Sequence, residues 1–228
     1  FVLLKGPWIE KVPDNVSLKT AAVFGTAGFT AALVVKRIEE MVVVNESKRV
    51  LVTGGTGAIS VIAIYLLSKL GYEVSVLTRD EKNCEYLRSI GSDKVMLTED
   101  FVRGNTPQNL LSESFDFAID TLGGQYLSQS LKMMAGGGCV FSIGMIVGTK
   151  FESNVLPFIL RGVSLCGINA EHCSLAERKS VWSWLSVNSL LDNLPFSLYT
   201  EVDFDTFANT ISNIKEISKI GRLIVNMD

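Results

Sequence analysis

Between Val52 and Ala58 the chain reads Thr53-Gly54-Gly55-Thr56-Gly57, a run whose residue types suit the binding of a diphosphate. Gly54 and Gly55 supply a tight turn, and Gly57 has no side chain, so an anion can approach the backbone N–H groups of Thr56, Gly57 and Ala58. A helix that starts here, with Ile59 in its first turn, offers unpaired N–H groups and the positive end of its dipole to the same anion. Ser60 takes the third small position, where helix and strand pack closely. A structural glycine turn has the same composition. The strand before, the helix after and a second strand at the right distance favour a dinucleotide.

That second strand ends Val76-Leu77-Thr78-Arg79. A proteinaceous acid at this tip would hold a ribose 2′-hydroxyl; here a hydroxyl and a guanidinium stand in its place, which suits a 2′-phosphate and so NADP(H). Asp80 and Glu81 fit as first-turn acids of the next helix. The alternative for Arg79 is an ordinary solvated surface charge.

The elements that must position these groups follow from the hydrophobic pattern. From Arg49 onward short β-rich runs alternate with helical ones: strands at Arg49–Thr53, Glu73–Thr78, Lys94–Leu97, Phe115–Asp120, Gly138–Ser142 and Val163–Gly167, and helices at Ala58–Leu70, Asp80–Ile90 and about Gln125–Met133. This order predicts an α/β fold, a Rossmann-type doubly wound parallel sheet with helices on both faces. Gly54, Thr78, Thr121 and Ser142 all fall at carboxyl ends of strands, where such sheets bind ligands. The flanks break the rhythm. Phe1–Val12 reads as two short strands, Ser17–Met41 as a helix interrupted near Gly25–Gly28, and later come a helix at Leu175–Leu185, a strand at Ser197–Val202, a helix at Phe204–Ile217 and a strand at Gly221–Asn226.

Composition narrows the function further. With 228 residues, 47% hydrophobic and 20% charged, the chain is long enough for one large α/β domain with appendages. A net charge of −3 argues against a nucleic-acid partner. The apolar stretch Ala21–Val35 is broken by Gly25, Thr26, Gly28 and Thr30 and falls short of a bilayer span. Cys84, Cys139, Cys166 and Cys173 lack CxxC spacing and His172 is the only histidine, so no metal site is expected. Tyr65 and Lys69 have the spacing of a short-chain dehydrogenase pair but sit in the helix right after the glycine loop, the wrong place for it, and Tyr65 reads as packing. No G-x-S-x-G elbow exists, and His172 reads as a surface-loop residue rather than part of a hydrolase triad.

Several segments in order carry a family resemblance: Gly25-Thr26-Ala27-Gly28, Asp120-Thr121-Leu122-Gly123-Gly124, Ser142-Ile143-Gly144, the run Pro157-Phe158-Ile159-Leu160-Arg161-Gly162-Val163, and Gly221-Arg222-Leu223-Ile224-Val225. Together they resemble the zinc-independent quinone oxidoreductase branch of the medium-chain dehydrogenase/reductases, especially its acrylyl-CoA reductase-like subgroup. The resemblance implies an NADPH-dependent oxidoreductase whose other domain is GroES-like. It divides this chain into a remnant of that catalytic domain with its linking helix (1–30), the NADP(H)-binding Rossmann domain (31–195) and a segment returning to the catalytic domain (196–228).

By the same resemblance Thr26 lies near the nicotinamide, and Gly54, Thr56, Gly57, Ala58 and Ile59 cradle the pyrophosphate. Thr78 and Arg79 hold the 2′-phosphate. Thr121, Leu122, Gly123, Ser142, Ile143 and Gly144 line the ribose and nicotinamide with Phe158 and Ile159 nearby, and Arg222 reaches the phosphates. Ser60 stands where the family usually has glycine, and Arg79 follows Thr78 one residue earlier than in close relatives. The expected partner is a small-molecule substrate, an unsaturated carbonyl, acyl-CoA or quinone, with no membrane partner, a homodimer formed through the last sheet strand and a cytoplasmic location. No catalytic residue is evident, and the preceding domain is expected to supply it. The alternative from another class is a dinucleotide-binding regulatory module without catalysis.

Overall fold

The computed structural model describes residues 9, 11–42, 48–103, 109–192, 194–213 and 221–227. Six strands, β1 (Arg49–Val52), β2 (Glu73–Thr78), β3 (Lys94–Leu97), β4 (Phe115–Asp120), β5 (Met134–Ser142) and β6 (Ser164–Gly167), form one sheet in the order β3-β2-β1-β4-β5-β6. Every neighbouring pair is parallel. The chain winds outward from β1 to β3, then returns to place β4 on the other side of β1. The crevice between the ends of β1 and β4 is therefore the switch point at which such sheets bind ligands.

Both faces of the sheet are covered, which is why its strands are apolar almost throughout. Side chains alternate between two cores. Val50 and Val52 point to one, with Phe24 and Leu33 of α1 (Leu18–Met41), Ile62 and Leu66 of α2 (Ala58–Lys69), and Val181 of α7 (Leu175–Val187). Leu51, Leu77 and Val140 point to the other, with Phe101 of α4 (Thr98–Arg103) and Leu127 and Leu131 of α5 (Gly124–Lys132). Tyr65 is buried in the first core, as a packing residue should be.

Helix α1 is long and apolar enough, by length and composition, to cross a bilayer. Its apolar face is instead buried against α2 and α7, and it bends at Gly25, whose φ of 41° and ψ of −141° are not helical. The interruption expected near Gly25 is thus present, as a kink that joins two helical segments.

Other differences are local. The helix expected at Asp80–Ile90 is a 3₁₀ turn at Glu81–Asn83 followed by α3 (Cys84–Ser89), with the Asp80 carboxylate accepting from Lys82 N–H. Strand β5 starts at Met134 rather than Gly138, because a register shift opposite Phe115–Phe117 absorbs Gly136 and Gly137. Helices α4 and α6 (Leu156–Arg161) are single short turns with no 3.6-residue stripe to betray them. Pro157 sits in the first turn of α6, where its missing N–H costs nothing, and Gly162 closes it in the left-handed region.

Strands β7 (Tyr199–Asp203) and β8 (Arg222–Asn226) pair in parallel as a separate two-stranded sheet, joined in part through α8 (Phe204–Ser212). The strands expected within Phe1–Val12 fall largely outside the described residues, and Ile9, Lys11 and Val12 belong to no element. The expected end of the Phe204–Ile217 helix also lies outside them. All four cysteines are free thiols, those of Cys139 and Cys166 lying 3.5 Å apart on neighbouring strands.

Candidate functional site

The glycine loop leaves β1 at Thr53 and turns under the end of β2, where Gly55 N–H donates to Leu77 O at 2.8 Å. Gly54 has φ 66°, and a β carbon there would stand 2.5 Å from Thr121 Oγ1. The position therefore requires glycine twice over, for its dihedral and for the close approach of the neighbouring loop. Gly57 N–H closes the turn on Gly54 O at 3.0 Å rather than pointing outward as the sequence suggested. No side chain caps the N-terminus of α2, so the N–H groups of its first turn remain for an anion. The Ser60 hydroxyl is fully buried and donates to Thr53 O at 3.1 Å; it does the work of the third glycine by bonding the strand it packs on.

Gly54, Gly55, Thr56 and Gly57 line a crevice of about 330 Å³ with Leu77, Thr78, Arg79, Thr98, Leu122, Tyr126, Ile146 and Val147. At its far end Thr78 is buried and Arg79 exposed. Asp80 is ion-paired with Lys82 at 2.7 Å, and this pairing holds its carboxyl below the usual range. The acid next to Arg79 is thus engaged by Lys82, and Arg79 itself makes no ion pair among the described residues.

The ends of β1, β4 and β5 are bound into one unit by Asp120, a fully buried carboxylate. Its Oδ1 accepts from Thr53 Oγ1 at 2.8 Å and Leu122 N–H at 3.3 Å, and its Oδ2 from Gly123 N–H at 2.9 Å. Its backbone carbonyl accepts from Ile143 N–H at 2.9 Å and Gly144 N–H at 3.3 Å. Thr53 Oγ1 in turn accepts from Thr121 N–H, and Thr121 Oγ1 donates to Thr53 O. Burial raises the Asp120 carboxyl above its ordinary value, opposed by the hydrogen bonds from Thr53, Gly123 and Leu122.

Gly123, Ser142, Ile143 and Gly144 line a second hollow of about 310 Å³ with Gly124, Leu127, Met145, Gly148, Thr149 and Phe151. Gly144 is required, since a β carbon there would run into Thr121 O. Segment 145–148 crosses between the two hollows, Val147 N–H donating to Leu122 O at 2.9 Å.

Thr26, Thr56 and Arg222 come together on a third side. Gly221 N–H donates to Thr56 O at 3.1 Å, and the Arg222 guanidinium lies against Gly25 beside Thr26. The buried Nε of Arg222 has no partner among the described residues. Phe158 and Ile159 sit on α6 and line neither hollow; Phe158 packs on the second core and Ile159 is exposed. The residues missed from sequence are Tyr126, Ile146 and Val147, which carry no motif, and Asp120. An acid ending the apolar run Phe117-Ala118-Ile119 was a readable signal of a buried, hydrogen-bonded carboxylate.

The residues fit a dinucleotide diphosphate: an uncapped helix start, glycines where a β carbon would collide, and a crevice leading to a guanidinium. Among the described residues, no group of three or more His, Cys, Asp or Glu is placed to hold a metal ion.

Comparison with known proteins agrees. The family model described as zinc-binding dehydrogenase matches residues 58–186. The Bacillus subtilis protein YhfP, whose name places it with the quinone oxidoreductases, is 37% identical over 227 residues, covering 100% of this chain and 68% of that protein. The acrylyl-CoA reductase AcuI of Ruegeria pomeroyi is 31% identical over 84% of this chain and 58% of its own length. This chain therefore spans about three fifths to two thirds of these relatives. Among solved structures, the YhdH oxidoreductase of Salmonella enterica in complex with NADP superposes with a TM-score of 0.87 at 31% identity, covering 99% of this chain and 68% of that one. YhfP with NAD bound gives 0.88 at 36% identity, over 97% and 67%. With a parallel six-stranded sheet, a glycine loop at its switch point and these relatives, the chain belongs to the zinc-binding dehydrogenase family of oxidoreductases.

Proposed function

We propose that this chain binds NADP(H) with the pyrophosphate on the Thr56–Ile59 loop, the 2′-phosphate at Thr78 and Arg79, and the nicotinamide toward Thr121–Gly123 and Ser142–Gly144. In the whole protein it holds NADPH for hydride transfer to a quinone or an α,β-unsaturated carbonyl or acyl-CoA. The observation that carries this reading is the switch-point crevice, which joins the uncapped start of α2 to Arg79. Its relatives add weight, since YhdH was solved with NADP and AcuI is an acrylyl-CoA reductase.

When bound, the cofactor supplies the hydride; this chain's residues bind and orient it. Asp120 fixes the loops that face the nicotinamide, and segment 145–148 shields one side. Reduction of a conjugated carbonyl also needs an electrophilic grip on the oxygen where charge builds. His172 is in an exposed loop against Asn169, away from both hollows, so that grip is assigned to residues beyond this chain, in the part of the relatives it does not span. The exposed edge of β6 is assigned to pairing with a second copy, and the protein to the cytoplasm.

The test compares this chain with the whole protein by NADPH absorbance, using acrylyl-CoA and a benzoquinone. NADPH binding by both with turnover only in the whole protein is expected. Turnover by the chain alone would show that catalytic groups lie within it. Binding without turnover in the whole protein would favour a regulatory module.

A further inference from the structure

Two thiols outside the cofactor crevice touch each other. Cys139 on β5 and Cys166 on β6 lie 3.5 Å apart, Sγ to Sγ, both turned to the first core. Cys139 is fully buried and Cys166 half-buried. The contact is directional. Cys139 donates its S–H to Cys166, and burial, reinforced by the neighbouring sulfur, raises the Cys139 thiol above its ordinary value and keeps it protonated. Cys166 is therefore the sulfur that a small oxidant reaches first. The other two cysteines have no such arrangement. The Cys173 thiol donates to Glu177 Oε2 at 3.2 Å, and burial with that carboxylate pushes it up to about 11. Cys84, on α3, has no thiol partner among the described residues.

The strands decide what a bond between these sulfurs would do. Cys139 lies level with Ser164 and Cys166 with Phe141, an offset of two residues along the pair. A disulfide needs the sulfurs to close to about 2.0 Å, so β6 must slide along β5 for it to form. β6 is the end strand and is held in this sheet by β5 alone. Pairing of its free edge with a second copy would use backbone groups and leave the Cys166 side chain on the face of the sheet. The residue after β6 also braces the loop proposed to face the nicotinamide: Ile168 N–H donates to Ser142 O at 3.1 Å. Sliding β6 toward Cys139 displaces Ile168 from Ser142.

We propose that Cys139 and Cys166 form a peroxide-sensitive thiol pair whose disulfide disturbs the Ser142–Gly144 loop. The Cys166 sulfur attacks a hydroperoxide oxygen and the O–O bond breaks. The departing oxygen takes the Cys166 proton and leaves as an alcohol, or as water from hydrogen peroxide, and Cys166 becomes a sulfenic acid. The Cys139 sulfur then attacks the Cys166 sulfur, the S–O bond breaks, and the departing hydroxyl takes the Cys139 proton as water. The two thiols together lose two electrons and the peroxide gains them; a dithiol reductant reverses the change by exchange. The bond itself is independent of the cofactor reading. Only its effect on cofactor binding rests on the proposed placement of the nicotinamide.

The test treats the whole protein with hydrogen peroxide, blocks the remaining thiols with iodoacetamide under denaturing conditions and maps the unreduced peptides by mass. A Cys139–Cys166 link that dithiothreitol removes is expected, with Cys84 and Cys173 alkylated. In Cys139→Ala the reaction should stop at the Cys166 sulfenic acid, trapped by dimedone, and in Cys166→Ala neither product should form. The oxidised parent should bind NADP⁺ roughly tenfold more weakly than the reduced parent, with 2′,5′-ADP within about twofold; peroxide should not change either affinity in Cys166→Ala. No link, a link to another cysteine or between two copies, a link that leaves NADP⁺ binding unchanged, or an equal loss of both ligands would overturn the proposal. Should the reduced parent bind no NADP⁺, the cofactor reading fails by itself, and the peptide map alone decides the thiol pair.

Discussion

The Arg222 guanidinium occupies the space a side chain at residue 25 would need, its Nη2 lying 2.3 Å from where a β carbon on Gly25 would stand. Residue 25 also has a positive φ inside a helix, so the kink of α1 and the start of β8 depend on the same missing atom. Gly25→Ala should therefore destabilise the protein by about 1–3 kcal/mol through backbone strain plus the collision. Combined with Arg222→Ala the loss should be smaller than the sum, because the collision is gone while the strain stays. Urea unfolding of the two single variants and the double measures this. A Gly25→Ala loss under about 0.5 kcal/mol would contradict it.

Arg79 is exposed, without an ion pair among the described residues, and at the end of the crevice that starts on the glycine loop. Replacing it with alanine should weaken NADPH binding by about ten- to a hundredfold, the equivalent of one charge-assisted phosphate contact, and leave NADH little changed. Calorimetric titration with both cofactors reads the difference. Equal losses, or an NADH preference in the parent, would place the 2′-phosphate elsewhere.

On the proposed cofactor placement, Asp120 serves the nicotinamide end rather than the adenosine end. In Asp120→Asn one carboxylate oxygen becomes an NH₂ facing N–H or O–H donors, which strands a buried polar group at a cost of about 1–3 kcal/mol. NADP⁺ affinity should fall roughly tenfold, while 2′,5′-ADP, which reaches only the loop and Arg79, should bind within about twofold of the parent. If both ligands weaken alike, Asp120 supports the domain in general and not these loops.

The pH dependence of stability has an identifiable contributor where α1 meets α7. Arg37 lies 2.9 Å from Glu177 and, with the Cys173 thiol, holds its carboxyl below the ordinary value. A carboxyl lowered in the folded state adds stability above its unfolded pKa and loses it as pH falls through the folded one. Both side chains are more than a third exposed, so the pair is worth at most about 1 kcal/mol. Glu177→Gln should lower the melting temperature slightly at pH 7, and the gap should close by about pH 3. A gap that stays constant from pH 7 to 3 would mean that packing, not charge, is responsible.

Much of this fold was written in the sequence because its signals are local. β2, β3 and β4 begin and end where their apolar runs do, and a parallel sheet covered on both faces demands such runs. The glycine loop was legible for the same reason, since strand, turn and helix are consecutive. The resemblance to the quinone oxidoreductase branch also rested on short segments in order. What the sequence could not decide depends on atoms brought together from far apart. That Arg222 rests on Gly25 and that Asp120 holds Thr53 to Gly123 are contacts between distant chain segments, and neither periodicity nor composition encodes them. Ile146 and Val147 enter the crevice only because the loop after β5 folds back onto Leu122. Helices α4 and α6 are too short to carry a periodic stripe, and tertiary packing with the caps at Pro157 and Gly162 makes them helices.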